Sequence, residues 1–482
     1  MSRLSLALAT LAPRPTGQWL IGLFALATGL AIPAFVGAVD GSPARALALP
    51  ALLALGMLLL YSRVLLLMTI LLLRAAGDVF FDSTRLALGS VQIGVGGLVN
   101  VFVILIALLL VAEKPALLPR RMASIWLPFL LLGAGGVVLA PSLGDGLRLY
   151  LAQLSYCAMF VSAFYVVRTP DDFKRCVRIV LLSSVLPLLY GVAGIALHGG
   201  VTGPNGARLQ STFAHPNIYA FYLTLVVALG FYVLKSANYR LSALRRFGLG
   251  AYLLVLLAML ALTQTRSAWI ACFALFFAYG LLFERRYLFY LLVLPLLALA
   301  IPEVRERVLE LGSGNEVRQY AKLNSFAWRL YIWQSGLGWM RPARYLTGMG
   351  IDAFAYYSPT FFPLAGTTHF GAHNVYVQWL FELGALGLAA YLWLVACLLW
   401  LLRRLMRVER LLGFVLVAVV LQYAIVSASD NMAAYLAFNW YFWFVAGAGC
   451  ALLAHAAPAP ASASAPTSAS ASASASAHGG LR

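Results

Sequence analysis

The chain has 482 residues, of which 62% are hydrophobic and only 10% charged, with a formal net charge of +18 and a mean hydropathy of +0.88. Soluble globular proteins carry about 25% charged residues, so this composition excludes a soluble protein, and no soluble basic domain exists to bind nucleic acid. The apolar runs are continuous and do not alternate, which excludes a membrane β-barrel and leaves helices that satisfy their own backbone in lipid.

Apolar spans are expected at about 17–38, 44–61, 64–77, 91–112, 123–140, 147–167, 176–197, 216–235, 247–263, 267–283, 287–301, 374–402, 411–429 and 435–454. The first run, Trp19 to Val39, is long enough to be a retained span and shows no cleavable signal. The third has only ten apolar residues before Arg74, so it reads as re-entrant or as part of a bent longer helix. The fold class is therefore an all-α polytopic membrane protein with about 12–14 transmembrane helices.

The loops set orientation. Basic clusters at Lys114/Arg120/Arg121, Lys174/Arg175/Arg178, Arg240/Arg245/Arg246, Arg285/Arg286 and Arg403/Arg404/Arg407/Arg410 alternate with loops that are short or nearly uncharged, such as 140–146 and 428–434. By the positive-inside rule the basic set is cytoplasmic, and so are both termini. Residues 1–197 form an N-terminal set of membrane helices, and 198–454 form the region with chemistry. Within it, 302–373 is the one long periplasmic loop. Residues 455–482 are an Ala/Ser/Pro tail, too poor in apolar residues to bury a core and expected to be disordered. In the long loop, 316–339 carries Trp328, Tyr331, Trp333 and Trp339 and is expected to lie in the interface with its aromatics toward lipid.

The sixteen carboxylates show no residue near the middle of a confident span and no cluster for a divalent cation, and the His spacings do not suggest zinc. No metal site or cofactor is expected. The five cysteines, Cys157, Cys176, Cys272, Cys397 and Cys450, lie in or beside apolar spans and read as small buried hydrophobes.

The outer face carries three polar regions: Arg208 to Asn217 with His215, the turn Thr263-Gln-Thr-Arg266-Ser, and the loop with Arg329, His369, His373 and Asn374. Arg266 runs against the positive-inside bias. It is either an interfacial arginine on headgroups or an anion site, and a permanently charged fork suits phosphate. Arg329 is open between a loop salt bridge and the same role. A histidine at a helix start either satisfies a carbonyl or acts as a general base. Of the pair His369 and His373, the latter is preferred because Asn374 follows and the span begins there.

Phe213-Ala-His-Pro-Asn217, Thr265-Arg266-Ser267, Arg329-x-x-x-Trp333, Gly348-Met-Gly350, His373-Asn-Val-Tyr376 and Phe381-Glu-Leu-Gly384-Ala-Leu-Gly387 stand in an order, and on a side of the membrane, that resembles the O-antigen ligase and O-antigen/exopolysaccharide polymerase superfamily. The resemblance covers roughly residues 200–400. It implies a GT-C-like, metal-independent glycosyltransferase of the bacterial inner membrane, active in lipopolysaccharide or other surface polysaccharide biosynthesis. Such an enzyme takes glycan from undecaprenyl diphosphate on the periplasmic side. The acceptor implied is lipid A–core, a second lipid-linked glycan, or a protein hydroxyl. Carried over by motif, the resemblance maps catalytic roles onto Arg266, Arg329 and His373. Arg208, His215, Asn217 and Asn374 are expected to bind substrate. The competing classes are a flippase or transporter of lipid-linked oligosaccharide, which should place its basic residues in a central cavity, and a non-enzymatic membrane scaffold.

Overall fold

The computed structural model describes residues 53–79, 85–88, 91–198, 208–300, 302–309, 323 and 325–456. The expected span at 17–38, the first part of that at 44–61, and the segments 199–207, 310–322 and 457–482 lie outside the described residues.

A helical stretch over 53–61 breaks at Ser62, whose side chain caps α1 (Arg63–Leu73). The third expected span is thus a helix of its own, separated from the preceding helical stretch by the extended Ser62, and Arg74 just beyond it pairs with Asp78 at 2.8 Å, both buried. A hairpin follows, β1 (Arg85–Leu88) and β2 (Val91–Gly94), antiparallel with Arg85 opposite Gly94. The span expected from residue 91 therefore starts at Val95, because Val-Gln-Ile-Gly alternates with the period of a strand.

The chain is then helical. In order come α2 (Val95–Glu113), α3 (Arg120–Ser124), α4 (Leu127–Val138), α5 (Leu143–Val166), α6 (Pro170–Ser183), α7 (Val185–His198), α8 (Pro216–Lys235), α9 (Ala243–Leu262), α10 (Arg266–Leu282), α11 (Arg286–Ala298), α12 (Pro302–Leu309), α13 (Ser325–Trp339), α14 (Ala353–Phe361), α15 (Val375–Leu405), α16 (Arg410–Ser427) and α17 (Leu436–Ala456). Nine helical segments among the described residues are long and apolar enough to cross a membrane, and α1 and α10 are shorter apolar helices. The protein is an all-α polytopic membrane protein. Side-chain caps fix many of the helix starts: Ser142 for α5, Thr169 with Asp172 in a capping box for α6, and Ser242 for α9.

Helix α17 lies at the centre of the described bundle. Trp443 of α17 meets Trp126 with ring centroids 4.4 Å apart, and the Trp440 indole N–H donates to Ser155 of α5 at 2.9 Å. Gly447 lies against the Phe160 carbonyl, where any Cβ would overlap backbone. Small residues let membrane helices approach this closely.

Two ends of the bundle differ in chemistry. At one end, Lys235 and Arg286 close on Glu284, at 2.7 Å each, while Tyr232 and Asn238 donate to Glu409. This ties the end of α8 to the turns α10–α11 and α15–α16. At the other end α8, α10, α13 and α15 all begin.

The segment 302–373, expected as a loop, contains α12, α13 and α14 and a hydrophobic cluster of its own. Phe354, Phe361, Phe362 and Phe381 are packed by Trp328, Tyr331, Trp333 and Trp339. The expectation that these aromatics face lipid is corrected to this extent: they are half-buried and pack against the loop's own cluster, with Trp339 and Phe381 nearly parallel at 6.1 Å.

That loop is bolted to a broken helix. Gly384 in α15 has φ +71° and ψ −172°. In a regular helix the amides of Ala385 and Leu386 would bond the carbonyls of Phe381 and Glu382. Here they donate to Tyr345 and Leu346, at 2.8 and 3.3 Å, and the Phe381 and Glu382 carbonyls accept from Met349 and Gly350, both at 2.9 Å. The loop thus gives partners to these four backbone groups that the break opens, which lipid could not do. Gly348 and Gly384 are glycines because a Cβ on either would overlap the other segment's backbone.

Candidate functional site

The first wall comes from 208–217. Arg208 Nε donates to the Thr263 carbonyl at 3.0 Å, and its Nη2 donates to Asn217 Oδ1 at 2.6 Å and Thr265 Oγ1 at 3.1 Å. Asn217 Nδ2 then donates to Asp430 Oδ2 at 2.5 Å. Asp430 is 1% exposed and also accepts from the Asn431 amide and from the Tyr435 hydroxyl. Burial, and then the Asp430 carboxylate, push the Tyr435 pKa well above 10, so the phenol stays a donor. From the N-terminal half, Asp78 accepts the Ala214 amide at 3.1 Å and Thr212 donates to the Ala75 carbonyl, pinning the segment that leads to His215.

The second wall is α10 and α13. Arg266 is the first residue of α10, and its Nη2 donates to Ser325 Oγ at 3.1 Å. Arg329, one turn into α13, donates to the Ser325 carbonyl at 3.3 Å. The two guanidinium groups therefore converge on one residue. Arg329 Nε is buried and finds no partner among the described residues.

The third wall is the entry to α15. Trp333 donates to the Ala372 carbonyl at 2.6 Å, and Trp328 meets the His373 ring edge-on at 5.8 Å. The Arg329-x-x-x-Trp333 spacing thus sets one helix face against the 372–373 backbone. His373 has φ +47°. A non-glycine residue held there costs of order 1–3 kcal/mol, and such strain concentrates at functional sites. Ser211 and Gln264, both beside the site, share this conformation.

Burial lowers the His373 pKa below its ordinary value of 6.5; Asp430 opposes that and Arg329 adds to it. His215 is lowered by burial and by Arg208, raised by Asp430, and lowered again by His373. These shifts place Arg208, His215, His373, Arg329 and Asp430 within one electrostatic neighbourhood.

The structure thus brings together Arg266, Arg329, His373, Arg208, His215 and Asn217. Beside His373, the Asn374 side chain caps α15 by accepting from Tyr376 and Val377 and donates to the Ala428 carbonyl. His369 is exposed and lies against the Ala355 carbonyl and the Tyr356 ring. Asp430 and Asp78 are the site-forming residues that sequence reading passed over. Asp430 was visible as an acid in an otherwise uncharged outer turn; Asp78 gave no local signal.

Partly buried cations beside four helix N-termini give this end a field suited to an oxyanion or phosphate. Among the described residues, no group of three or more His, Cys, Asp or Glu side chains is placed to hold a metal ion. Comparison with curated proteins gives no match. Residues 251–392, which carry Arg266, Arg329 and His373 but not Arg208, His215 or Asp430, match the family model described as O-antigen ligase.

Proposed function

We propose that the protein transfers glycan from undecaprenyl diphosphate to an acceptor hydroxyl on the periplasmic face of the inner membrane, in surface polysaccharide biosynthesis. The observation that carries this reading is the convergence of Arg266 and Arg329 on Ser325, next to His373. In the reaction the acceptor oxygen bonds to the anomeric carbon, the bond from that carbon to phosphate oxygen breaks, and the hydroxyl proton passes to His373. Undecaprenyl diphosphate leaves with the electron pair, and Arg266 and Arg329 stabilise the charge that grows on it. Orientation follows from the basic end being cytoplasmic, which places the site end outside.

Arg266→Ala and Arg329→Ala should each lower transfer by about 10²–10³, read as surface glycan at matched membrane levels of protein. Normal glycan from both variants would refute the reading. In a strain lacking the protein, uncapped lipid A–core indicates a ligase and single-repeat products indicate a polymerase.

The pH profile gives a second test. A base must be neutral, so transfer falls as pH drops through the His373 pKa, which lies below 6.5. Asp430 raises that pKa. Asp430→Asn should therefore move the acid limb of the rate profile to lower pH and reduce the plateau. An unmoved limb would separate Asp430 from the histidine.

A further inference from the structure

Two histidines border this site, and their ring nitrogens are not equivalent. The Asn217 amide donates to His215 Nδ1 at 3.1 Å, an arrangement that caps α8. A backbone N–H can only donate, so Nδ1 carries no proton. The ring proton of His215 is therefore on Nε2, which has no hydrogen-bond partner among the described residues. A second proton would have to enter at Nδ1. It would break the cap and place a cation beside Arg208, with only Asp430 to favour it and His373 opposing it.

Resting on the transfer reading above, we infer that His215 is a fixed neutral donor, whose Nε2–H bonds an anionic oxygen of the lipid-linked diphosphate. It is not a second base. The two histidines then divide the work: His373 accepts a proton, and His215 holds one that it never releases. The chemistry favours a diphosphate oxygen over an acceptor hydroxyl, because the donor stands next to the Arg208 guanidinium, where negative charge is stabilised.

Two substitutions separate the ring's two edges. In His215→Asn, the amide oxygen reaches the position of Nδ1 and can cap α8, but nothing replaces Nε2–H. In His215→Gln, the amide N–H reaches the position of Nε2, but the cap is lost. The probe is undecaprenyl diphosphate, titrated into the full-length protein in detergent, with the melting temperature recorded for each variant. The Asn variant should keep its melting temperature and lose about ten- to a hundredfold in probe affinity, the range for a hydrogen bond to a charged group. The Gln variant should melt earlier yet bind within about threefold of wild type.

The opposite pattern, with Asn binding normally and Gln not, would assign His215 to capping alone and overturn the inference. So would two folded variants that both bind normally, or that both fail to bind. Each of these leaves the transfer reading standing, because the wild type still binds. A wild-type protein that does not bind the probe would overturn the diphosphate reading, and this inference with it.

Discussion

His373→Ala should reduce glycan transfer by about 10²–10⁴, the usual contribution of a positioned general base, with the protein still present in the membrane at wild-type level. The two outcomes are separable because the anchors of this segment do not involve the His373 side chain. Trp333 holds the Ala372 carbonyl and Asn374 caps α15 on its own account. Alanine also meets the same positive φ, so backbone strain changes little. His369→Ala is the control. That ring is exposed and packs against Tyr356, outside the neighbourhood of Arg329 and Asp430, so its loss should leave transfer within about threefold, since surface changes away from special features are small. Equal losses from both substitutions would remove His373 from the role of base. The readouts are surface glycan and quantitative membrane immunoblotting.

The largest effect on folding is expected at Gly384. Gly384→Val places a branched side chain at φ +71°, and its Cβ overlaps the Leu346 carbonyl. Either α15 straightens, which strands the amides and carbonyls now shared with 345–350, or the loop is pushed off. Unsatisfied backbone groups in a membrane each cost several kcal/mol. A loss of more than about 4 kcal/mol follows, a size that single substitutions reach only by named structural failures such as this. Gly248→Ala in α9, where a Cβ meets nothing within 4 Å, should be neutral or should gain about 0.5–1 kcal/mol. Thermal unfolding in detergent measures both. If the valine variant melts like wild type, the break in α15 is wrong.

Much of the bundle was legible because hydropathy is a local property. Spans at 216–235 and 411–429 fall within a residue or two of α8 and α16. The polar motifs were legible for a related reason: a cation such as Arg266, set against the orientation of its neighbours, stands out without any partner being known. What escaped was pairing between distant segments. Asn217 and Asp430 are 213 positions apart, and nothing near Asp430 announces its donor. Asp78 was hidden in the same way, since the Ala214 amide that it accepts is supplied by another helix's entry. Gly384 sits in Glu-Leu-Gly-Ala-Leu-Gly, a motif whose residues lie within an apolar run that reads as one continuous span. Its dihedral angles and the carbonyls of 345 and 346 show that it is a break. The loop's tryptophans suggested a lipid interface because composition does not say that Phe354 and Phe361 fold back to meet them.

The central position of α17 bears on how the protein is made. Its neighbours along the bundle axis, α5 above all, enter the membrane some 280 residues earlier in synthesis, as the bond from Trp440 to Ser155 shows. Until α17 arrives, Ser155 of α5 lacks the indole that bonds it, and Asp430, which ties Asn217 in place, precedes α17 by only a few residues. The early helices are therefore placed well before the partners that complete their packing and the Asn217 cluster are made.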